Sequence, residues 1–532
     1  MLCGINIKTR LRGDKMKRRD FMKKAGGVTA GAVLSTSAMA KDSKVSKKPN
    51  LLVIMTDEHS FRTLGCYRKT LSKEQAHMWG EGNIVETPYI DSIAKEGALC
   101  TNFYSTSPVC SPARGTFMTG LYPQNTPVLT NDVPLKGELI TFASVLQKAG
   151  YSTGYSGKWH LDGHGKPQWG PKRQFGFADN RYMFNRGHWK VLEDTPQGPR
   201  VKTQKNGKPS YDITGADGTS FTTDWLTTKT LNFVNENKDK PFCYMVSYPD
   251  PHGPDKVRAP YDKMYTHMKF EKARTAGKDN NGVPSWASPK KGGADQAQYY
   301  GMIKCIDDNI KRILDTLKKN DQLENTVIVF TADHGDMRGE HDRQNKGIPL
   351  EASAKVPFIV RYPEKITSGK IINETLGGVD FMPTILGLLG VAATGNEDGR
   401  DASKLFISKE PNWSDISFVR GTGESNWISA IDKRYKLILS QSDEPWLIDK
   451  VKDPDELQNF CFKPECRSVV RNLASALKSY GEKYNDKSLK QKRPQYDLAW
   501  ALSNAAEYDA SAAPKSVVKA KPKKSKKSKK KK

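Results

Sequence analysis

Two short apolar runs, each ending at an acidic cluster, constrain the fold of this 532-residue chain more than any other feature. Residues 50–56 (NLLVIMT) stop at residues 57–59 (DEH), and residues 326–332 (TVIVFTA) stop at residues 333–336 (DHGD). Such runs are typical of strands that are buried on both faces of a parallel sheet. Because ligands gather beyond the carboxyl ends of these strands, the two acidic clusters are expected to meet around one hard cation, Ca²⁺ or Mg²⁺. The alternative is that the acids cap helices or turns.

The rest of the chain alternates between strand and helix patterns. Residues 356–362 predict a strand and residues 382–389 a helix. Apolar side chains recur at helical spacing before the second apolar run, at Met302, Ile306, Ile310, Ile313, Leu314 and Leu317. The alternation predicts an α/β fold with a large, mostly parallel sheet sandwiched by helices. Residues 160–300 give few clear elements, and strand patterns at 427–431, 435–439 and 446–448 predict a smaller antiparallel sheet in a C-terminal subdomain.

The net charge of +26 is concentrated at the two ends of the chain. Residues 1–40 carry +7 and residues 515–532 carry +11, which leaves +8 for residues 41–514. A moderately basic folded region fits an anionic substrate and gives no indication of nucleic acid binding. The Lys-rich tail at 511–532 is predicted to be disordered. Its expected use is contact with a polyanion, and a solvated tail without a binding role is the alternative.

The first 40 residues have the pattern of an export signal. Residues 18–23 (RRDFMK) precede a mildly apolar stretch at 26–39, and residues 38–40 (AMA) form a small-x-small cleavage site. The pattern resembles a twin-arginine signal, with an ordinary signal peptide or a basic leader as the alternative. No later stretch reaches the ~20 continuous apolar residues of a membrane span. We therefore expect an exported protein, periplasmic or extracellular, without a transmembrane anchor.

Cys110 differs from the other seven cysteines in its sequence context. Eight cysteines are too few for a disulfide scaffold in a chain of this length, although pairing of Cys461 with Cys466 stays open. Residues 110–115 (CSPARG) place Pro112 in the first turn of a helix, where its missing N–H costs nothing. Cys110 would then lie at a helix N-terminus with backbone donors aimed at an anion, and Arg114 would add a positive charge.

Further polar motifs follow in an order that is known from one enzyme family. Residues 157–160 (GKWH), 250–253 (DPHG) and Lys346 with Gly347 would each, taken alone, be a solvated lysine or a satisfied histidine. Together with the acidic clusters and Cys110, they make residues 48–460 resemble the type I sulfatases of the alkaline-phosphatase-like superfamily. Residues 110–114, continuing to Thr119-Gly120, look like the family's modification signature, and residues 331–336 look like its metal motif. Residues 356–359, 380–384 and 449–459 are similar to later family landmarks.

The resemblance implies an enzyme that hydrolyses a sulfate ester. The change of pattern after about residue 400 predicts a catalytic domain over 48–400 and a C-terminal subdomain over 401–510. The resemblance also implies that a maturation enzyme oxidises Cys110 to formylglycine, which hydrates to a diol and attacks sulfur. The metal ligands implied for one Ca²⁺ are Asp57, Cys110, Asp333 and His334. Because a ring nitrogen is a less common Ca²⁺ ligand than oxygen, a hydrogen bond from His334 to the sulfate is the alternative. Many members have a second Asp where this chain has Glu58, so ligation by Glu58 stays open.

The resemblance also implies a role for each remaining catalytic residue. Lys158 and Lys346 hold the sulfate oxygens, and Arg114 orients residue 110. His252 protonates the departing alcohol, and His160 takes the proton of the second diol hydroxyl. These roles match the needs of the reaction, which are charge neutralisation, a nucleophile and protonation of the leaving oxygen.

Three functions therefore stay open, with sulfate ester hydrolysis favoured. The same scaffold and aldehyde can cleave phosphoesters or phosphonate monoesters, and a homologue with a dead site would only bind glycans. The expected substrate is a sulfated small molecule or glycan. A basic, exported enzyme favours a sulfated carbohydrate over a small aryl ester.

Overall fold

The computed structural model describes residues 47–278, 283–408, 412–423, 426–505 and 507–515, which belong to one compact unit. The predicted export signal at 1–40 and residues 516–532 of the predicted tail lie outside the described residues. Division into a catalytic domain over 48–400 and a subdomain over 401–510 stays a prediction.

Sixteen strands are present in the described part of the chain: β1 Asn50–Asp57, β2 Ala98–Tyr104, β3 Ser152–Lys158, β4 Asp179–Phe184, β5 Leu192–Thr195, β6 Gly198–Val201, β7 Gln204–Lys205, β8 Lys208–Pro209, β9 Phe242–Pro251, β10 Thr326–Ala332, β11 Phe358–Arg361, β12 Lys370–Gly377, β13 Ser417–Arg420, β14 Trp427–Ile431, β15 Tyr435–Ser440 and β16 Trp446–Asp449. The main sheet has the order β12-β2-β11-β10-β1-β9-β3-β4. Only β11 runs antiparallel to its two neighbours, so the predicted mostly parallel sheet is confirmed.

The α-helices of the described residues are α1 Gly65–Arg68, α2 Lys73–Ala76, α3 Pro88–Lys95, α4 Cys110–Thr119, α5 Phe142–Lys148, α6 Thr222–Glu236, α7 Tyr261–Met264, α8 Gln296–Lys319, α9 Glu351–Ala354, α10 Phe381–Leu389, α11 Ser403–Ile407, α12 Arg467–Tyr484 and α13 Lys492–Leu502. They cover both faces of the main sheet, because alternate residues of β1 pack against different helices. Leu51 and Val53 contribute to the core formed with α4, α5 and α10, whereas Leu52 and Ile54 contribute to the core formed with α3, α6 and α8. Every residue of β1 is buried, as its apolar run predicts.

The smaller sheet near the C-terminus is antiparallel throughout, in the order β13-β14-β15-β16. Its apolar face packs with α12 and α13 around Leu437, Leu447 and Leu473. This confirms the predicted smaller antiparallel sheet.

Residues 160–300 contain more regular structure than their sequence indicates. The strand β9 lies between β1 and β3 in the main sheet with all ten residues buried, and α6 covers it. Cys461 and Cys466 are both free thiols. Among the described residues, no helix combines the length and apolar character that crossing a membrane requires.

Candidate active site

Four adjacent parallel strands, in the order β10-β1-β9-β3, deliver polar side chains to one edge of the main sheet. Asp333 follows β10, Asp57 is the last residue of β1, His252 follows β9, and Lys158 is the last residue of β3. All four strands point the same way, so their carboxyl ends converge, as is general for ligand sites in sheets of this kind. Asp57 and Asp333, which meet at this edge, are 276 positions apart in the chain.

Cys110 reaches the same edge as the first residue of helix α4. Its Sγ lies 3.2 Å from His334 Nε2, 3.6 Å from Lys158 Nζ and 3.7 Å from Asp57 Oδ1. Burial and Asp57 raise the pKa of the thiol, but Lys158 and other cations outweigh them, so the pKa lies well below its ordinary value. The nearby cations therefore favour negative charge on residue 110, which lies at the helix N-terminus that the sequence predicts.

Arg114 ties the nucleophile position to the acidic clusters from one turn further along α4. It is fully buried, with Nε donating to Asp333 Oδ2 at 2.9 Å and Nη2 lying 3.6 Å from Asp57 Oδ2. Nη1 donates to the Lys158 carbonyl at 2.5 Å and to Ser247 Oγ at 2.8 Å. A guanidinium is suited to these fixed contacts because it holds several planar donors in one geometry. Arg114 thus fixes the acids and Lys158 relative to residue 110.

Asp57, Cys110, Asp333 and His334 form a group that could hold a metal ion. One ligand atom from each lies within 4.8 Å of the others, and all four residues are buried. His334 Nδ1 lies 2.9 Å from the Gly335 carbonyl, which leaves Nε2 to face the group. Two carboxylates suit a hard cation such as Ca²⁺ or Mg²⁺, and an oxygen in place of the Cys110 sulfur would add a third hard ligand. The donor set therefore fits the predicted metal.

Lys158 is buried, and the residue before it in the chain must be glycine. Gly157 has a φ of +99°, and a Cβ there would lie 2.0 Å from the Ser247 carbonyl oxygen. The close approach of β3 and β9 at this point directs the Lys158 ammonium to the Asp57 carboxylate, with which it pairs. The GKWH motif therefore has a structural reason for its glycine as well as a chemical reason for its lysine.

Glu58 is not among the four candidate metal ligands and pairs with two other site residues. Its backbone has a φ of +59°, and its carboxylate lies 2.8 Å from His252 Nε2 and 2.9 Å from Lys346 Nζ. Burial raises the pKa of Glu58, but His252 and Lys346 outweigh it and hold the pKa well below its ordinary value. Glu58 thus balances the charge of the second lysine rather than joining the four candidate ligands.

His252 and Lys346 meet beside Glu58. Lys346 Nζ lies 2.8 Å from His252 Nε2, and His252 Nδ1 lies 2.8 Å from the Gly253 carbonyl. Since a carbonyl only accepts hydrogen bonds, Nδ1 carries a proton and Nε2 is the ring atom that faces the lysine. Toward the ammonium of Lys346, Nε2 can only accept, whereas toward the Glu58 carboxylate, also at 2.8 Å, Nε2 can act as a proton donor when the ring is protonated.

His160 contacts the site less directly than the other predicted residues. Its Nε2 lies 3.2 Å from Asp132 Oδ1, and its carbonyl accepts a hydrogen bond from Ser111 Oγ at 2.7 Å. No hydrogen bond within the described residues joins the His160 ring to Cys110. His160 Nδ1 is buried without a partner there, so one ring nitrogen is available.

His188 is a site residue that the sequence analysis missed. Its Nε2 lies 2.9 Å from Lys158 Nζ and 3.6 Å from Asp57 Oδ2. Its ring stacks on His252 with centroids 3.6 Å apart and planes at 7°. Residues 187–190 (GHWK) contain the same four residue types as 157–160 (GKWH). This similarity is the one sequence pattern that could have pointed to His188.

The formal charges of the site cancel before any ligand binds. Arg114, Lys158 and Lys346 stand against Asp57, Asp333 and Glu58. Binding a divalent cation alone would leave an uncompensated buried charge, which is costly. A cation together with an anionic ester restores the balance, so the site suits a metal and a sulfate or phosphate group at the same time.

The family comparisons agree with this geometry. The sulfatase family model matches residues 49–391, and the model for the C-terminal part of N-sulphoglucosamine sulphohydrolase matches residues 339–483. An ulvan-active sulfatase of Formosa agariphila is 28% identical over 442 residues, covering 81% of this chain and 80% of that protein. An N-acetylglucosamine-6-O-sulfatase of Bacteroides thetaiotaomicron is 26% identical over 547 residues, covering 86% and 90%.

Solved structures share the fold. A structure described as the yidJ sulfatase of Bacteroides fragilis has a TM-score of 0.67 and 25% identity, covering 86% of this chain and 98% of that one. A phosphonate monoester hydrolase of Agrobacterium radiobacter has a TM-score of 0.63 and 22% identity, covering 83% and 97%, which is a likeness of fold. With the family match spanning most of the chain and the predicted residues meeting at one edge of the sheet, the protein belongs to the sulfatase family of the alkaline-phosphatase-like superfamily and is a sulfuric ester hydrolase.

Proposed function

We propose that this enzyme hydrolyses a sulfate ester of a sulfated carbohydrate, with formylglycine made from Cys110 and with one bound Ca²⁺. The observation that carries the proposal is the position of Cys110 Sγ, within 3.7 Å of Lys158, His334 and Asp57 at a helix N-terminus. Sγ marks the place of the oxygen that formylglycine would carry. After oxidation, residue 110 supplies a hydrated aldehyde whose hydroxyl is the nucleophile. Asp57, Asp333, His334 and residue 110 would hold the cation, which would supply a Lewis acid when bound.

The two buried lysines bind the sulfate group. Lys158 and Lys346 approach from different strands and loops, and each is paired with one acid, Asp57 or Glu58. Each ammonium carries three N–H donors. Lys346 uses two of them on Glu58 and His252 and has one left for a sulfate oxygen. Lys158 can keep Asp57 and His188 and turn to a sulfate oxygen the donor that meets Cys110 Sγ. Arg114 keeps residue 110 and the acids in register throughout the reaction.

His252 protonates the leaving oxygen, and His160 takes the proton that regenerates the aldehyde. The Nδ1–H of His252 is held by the Gly253 carbonyl, so Nε2 delivers the proton. Glu58 lies 2.8 Å from Nε2 and stabilises the protonated ring. Asp132, at 3.2 Å from His160 Nε2, stabilises the charge that His160 acquires as a base.

Three observations support a carbohydrate substrate. Two relatives carry names that denote sulfated saccharides, one as an ulvan-active sulfatase and one as an N-acetylglucosamine-6-O-sulfatase. The charge of +8 over residues 41–514 suits a polyanionic substrate. The N-terminal sequence resembles an export signal, which would place the enzyme where polysaccharides occur. A maturation enzyme would oxidise Cys110 to formylglycine.

Mass spectrometry and turnover test this proposal together. The peptide containing Cys110 should have the mass of formylglycine, and the enzyme should release sulfate from sulfated saccharides. Cys110→Ala should abolish turnover while leaving the melting temperature unchanged, because it removes the nucleophile and only a small side chain. Full activity with an unmodified thiol would contradict the mechanism.

A phosphonate monoester hydrolase is the second candidate, because that class shares the fold. Comparing kcat/KM for 4-nitrophenyl sulfate and phenyl phosphonate esters distinguishes the two functions. Faster cleavage of the phosphonate would assign the enzyme to that class. Binding of sulfated saccharides without release of sulfate, by protein that carries formylglycine, would indicate a glycan-binding homologue.

A further inference from the structure

An open cavity of about 620 Å³ lies beside the active site and is not used by the reaction. It is lined by Gln204, Lys205, Ser210, Tyr211, Asp212, Pro254 and Lys256. We propose that this cavity is a second binding site for the substrate, which takes an anionic sugar unit next to the unit that carries the reacting sulfate. The inference rests on the proposed function, since it names a part of the same substrate.

The cavity is continuous with the catalytic residues. Pro254 is two positions from His252, whose ring stacks on His188 at 3.6 Å. The Tyr211 ring lies 6.4 Å from the His188 ring and 4.8 Å from the Trp189 ring, measured between centroids. One chain of ring contacts therefore leads from the proton donor to the wall of the cavity. A saccharide with its leaving oxygen at His252 would extend along these rings.

The charge of the cavity favours an anionic unit. Lys205 and Lys256 line it against the single acid Asp212, which lies 3.9 Å from Lys256. Lys205 has no ion-pair partner within the described part of the chain, so its ammonium is available to a ligand. Lys166 Nζ lies 4.8 Å from the Tyr211 ring centroid and adds a further positive charge at this wall. A carboxylate or a second sulfate on the neighbouring sugar matches this set of groups.

Lys205, the lysine that we assign to the ligand, lies in a tight hairpin. Strands β7 and β8 are joined by Asn206 and Gly207, whose φ values are +52° and +69°. Two residues with positive φ are what a two-residue hairpin turn requires. Lys205 is paired in register with Lys208, and both are exposed, but only Lys205 lines the cavity. The hairpin thus offers a matched pair of lysines with the same charge and neighbourhood.

Competition kinetics test the site. Turnover of 4-nitrophenyl sulfate, which is too small to reach the cavity, would be measured with increasing concentrations of an ulvan-derived sulfated tetrasaccharide at low salt. In Lys205→Glu we expect the inhibition constant of the tetrasaccharide to rise roughly fivefold, the size expected for one exposed charge contact. In Lys208→Glu it should stay within twofold of the parent enzyme. In both variants, kcat/KM for 4-nitrophenyl sulfate should be unchanged.

The outcomes separate this inference from the proposed function. If the tetrasaccharide fails to compete, or if the two lysine variants weaken it equally, the cavity is not a substrate site and the charge acts only over a distance. If the parent enzyme carries formylglycine and still fails to cleave any sulfate ester, the proposed function is wrong instead. Thermal unfolding of both variants should match the parent, because both lysines are exposed.

Discussion

His188 makes two contacts that can be separated by substitution. Its Nε2 accepts a hydrogen bond from the Lys158 ammonium at 2.9 Å, since an ammonium group only donates, and its ring stacks on His252. His188→Phe keeps a flat ring against His252 and loses the acceptor. His188→Gln keeps an acceptor and loses the ring. We expect His188→Phe to raise KM for all sulfate esters roughly tenfold, because Lys158 loses a charge-assisted hydrogen bond.

The glutamine variant should depend on the leaving group. If the ring of His188 orients His252, His188→Gln should lower kcat for a saccharide sulfate, whose alkoxide must be protonated, and have little effect on 4-nitrophenyl sulfate. The measurement is kcat and KM for both esters in both variants. Equal loss on both esters in the glutamine variant would mean that His188 has only a structural role.

Metal content provides a test of the four candidate ligands that does not depend on activity. Asp333→Asn replaces a charged oxygen donor in the group with a neutral one, and should lower the Ca²⁺ bound per chain after dialysis against micromolar Ca²⁺. Asp336→Asn is the matched control, because Asp336 belongs to the same motif but lies outside the group. Asp336 interacts with Arg338, at 3.5 Å, instead. Equal calcium loss in both variants, measured by elemental analysis, would contradict the assignment.

The contacts of Glu58 and His188 show why the site was predicted only in part. Asp57 and Asp333 were found because two buried apolar strands each stop at an acid, and the carboxyl ends of parallel strands meet. The direction of Glu58 could not be read from sequence, since it depends on a φ of +59° and on two partners, His252 and Lys346, from distant parts of the chain. His188 was missed for the same reason, because its value to the site comes from stacking on a residue 64 positions away.

Among the elements, β1 and β10 were predictable and β9 was not. The first two are uninterrupted apolar runs, and the structure gives them as Asn50–Asp57 and Thr326–Ala332. The strand β9 (FCYMVSYPDP) contains polar, aromatic and proline residues and lies in a region rich in Gly and Lys. Its burial is set by pairing with β1 and β3 on either side, which are non-local contacts.

The first turn of helix α3 is bound by a buried acid of helix α8, Asp307, and this contact should depend on pH. Asp307 of α8 accepts hydrogen bonds from the Tyr89 and Ile90 amides in the first turn of α3, at 3.0 and 2.9 Å. Burial raises the pKa of Asp307 to about 6 from an ordinary value of 3.8, although these bonds oppose the change. The folded pKa of Asp307 lies above its unfolded pKa. The contribution of Asp307 to the free energy of unfolding is therefore full below pH ~3.8 and is lost as the pH rises through 6. The loss is at most roughly 3 kcal/mol.

Asp307→Asn tests this contact, because asparagine keeps an oxygen acceptor and does not ionise. Relative to the parent, the variant should gain about 1–4 °C in melting temperature between pH 4 and pH 7. Asp315→Asn, an exposed acid on the same helix, is the control and should show no such trend. A constant difference between the Asp307 variant and the parent across this range would mean that Asp307 is charged in the folded protein throughout.

At the scale of the whole molecule, the charges used in chemistry are separate from the excess charge. The active site is neutral by formal count, whereas eleven lysines lie between residues 515 and 532. A neutral site leaves recognition of a polyanion to other parts of the surface. The cavity beside His252 would act on one sugar unit, and the C-terminal lysines would act on the polymer as a whole.

The C-terminal lysines should bind a polyanion through their charge alone. Ala513 is buried, so a deletion that spares the fold starts after Lys515 and removes residues 516–532 with ten lysines. The deletion should leave kcat on 4-nitrophenyl sulfate unchanged. Retention of the full chain on a heparin column should fall steeply with salt, as the Debye length shrinks from ~10 Å at 0.1 M to ~3 Å at 1 M. The deleted form should elute earlier at every salt concentration.

A chain of full length with these ten lysines changed to glutamine should elute with the deleted form, because charge rather than length carries the attraction. Coelution of all three forms would place the polyanion affinity in residues 41–514, whose own charge is +8.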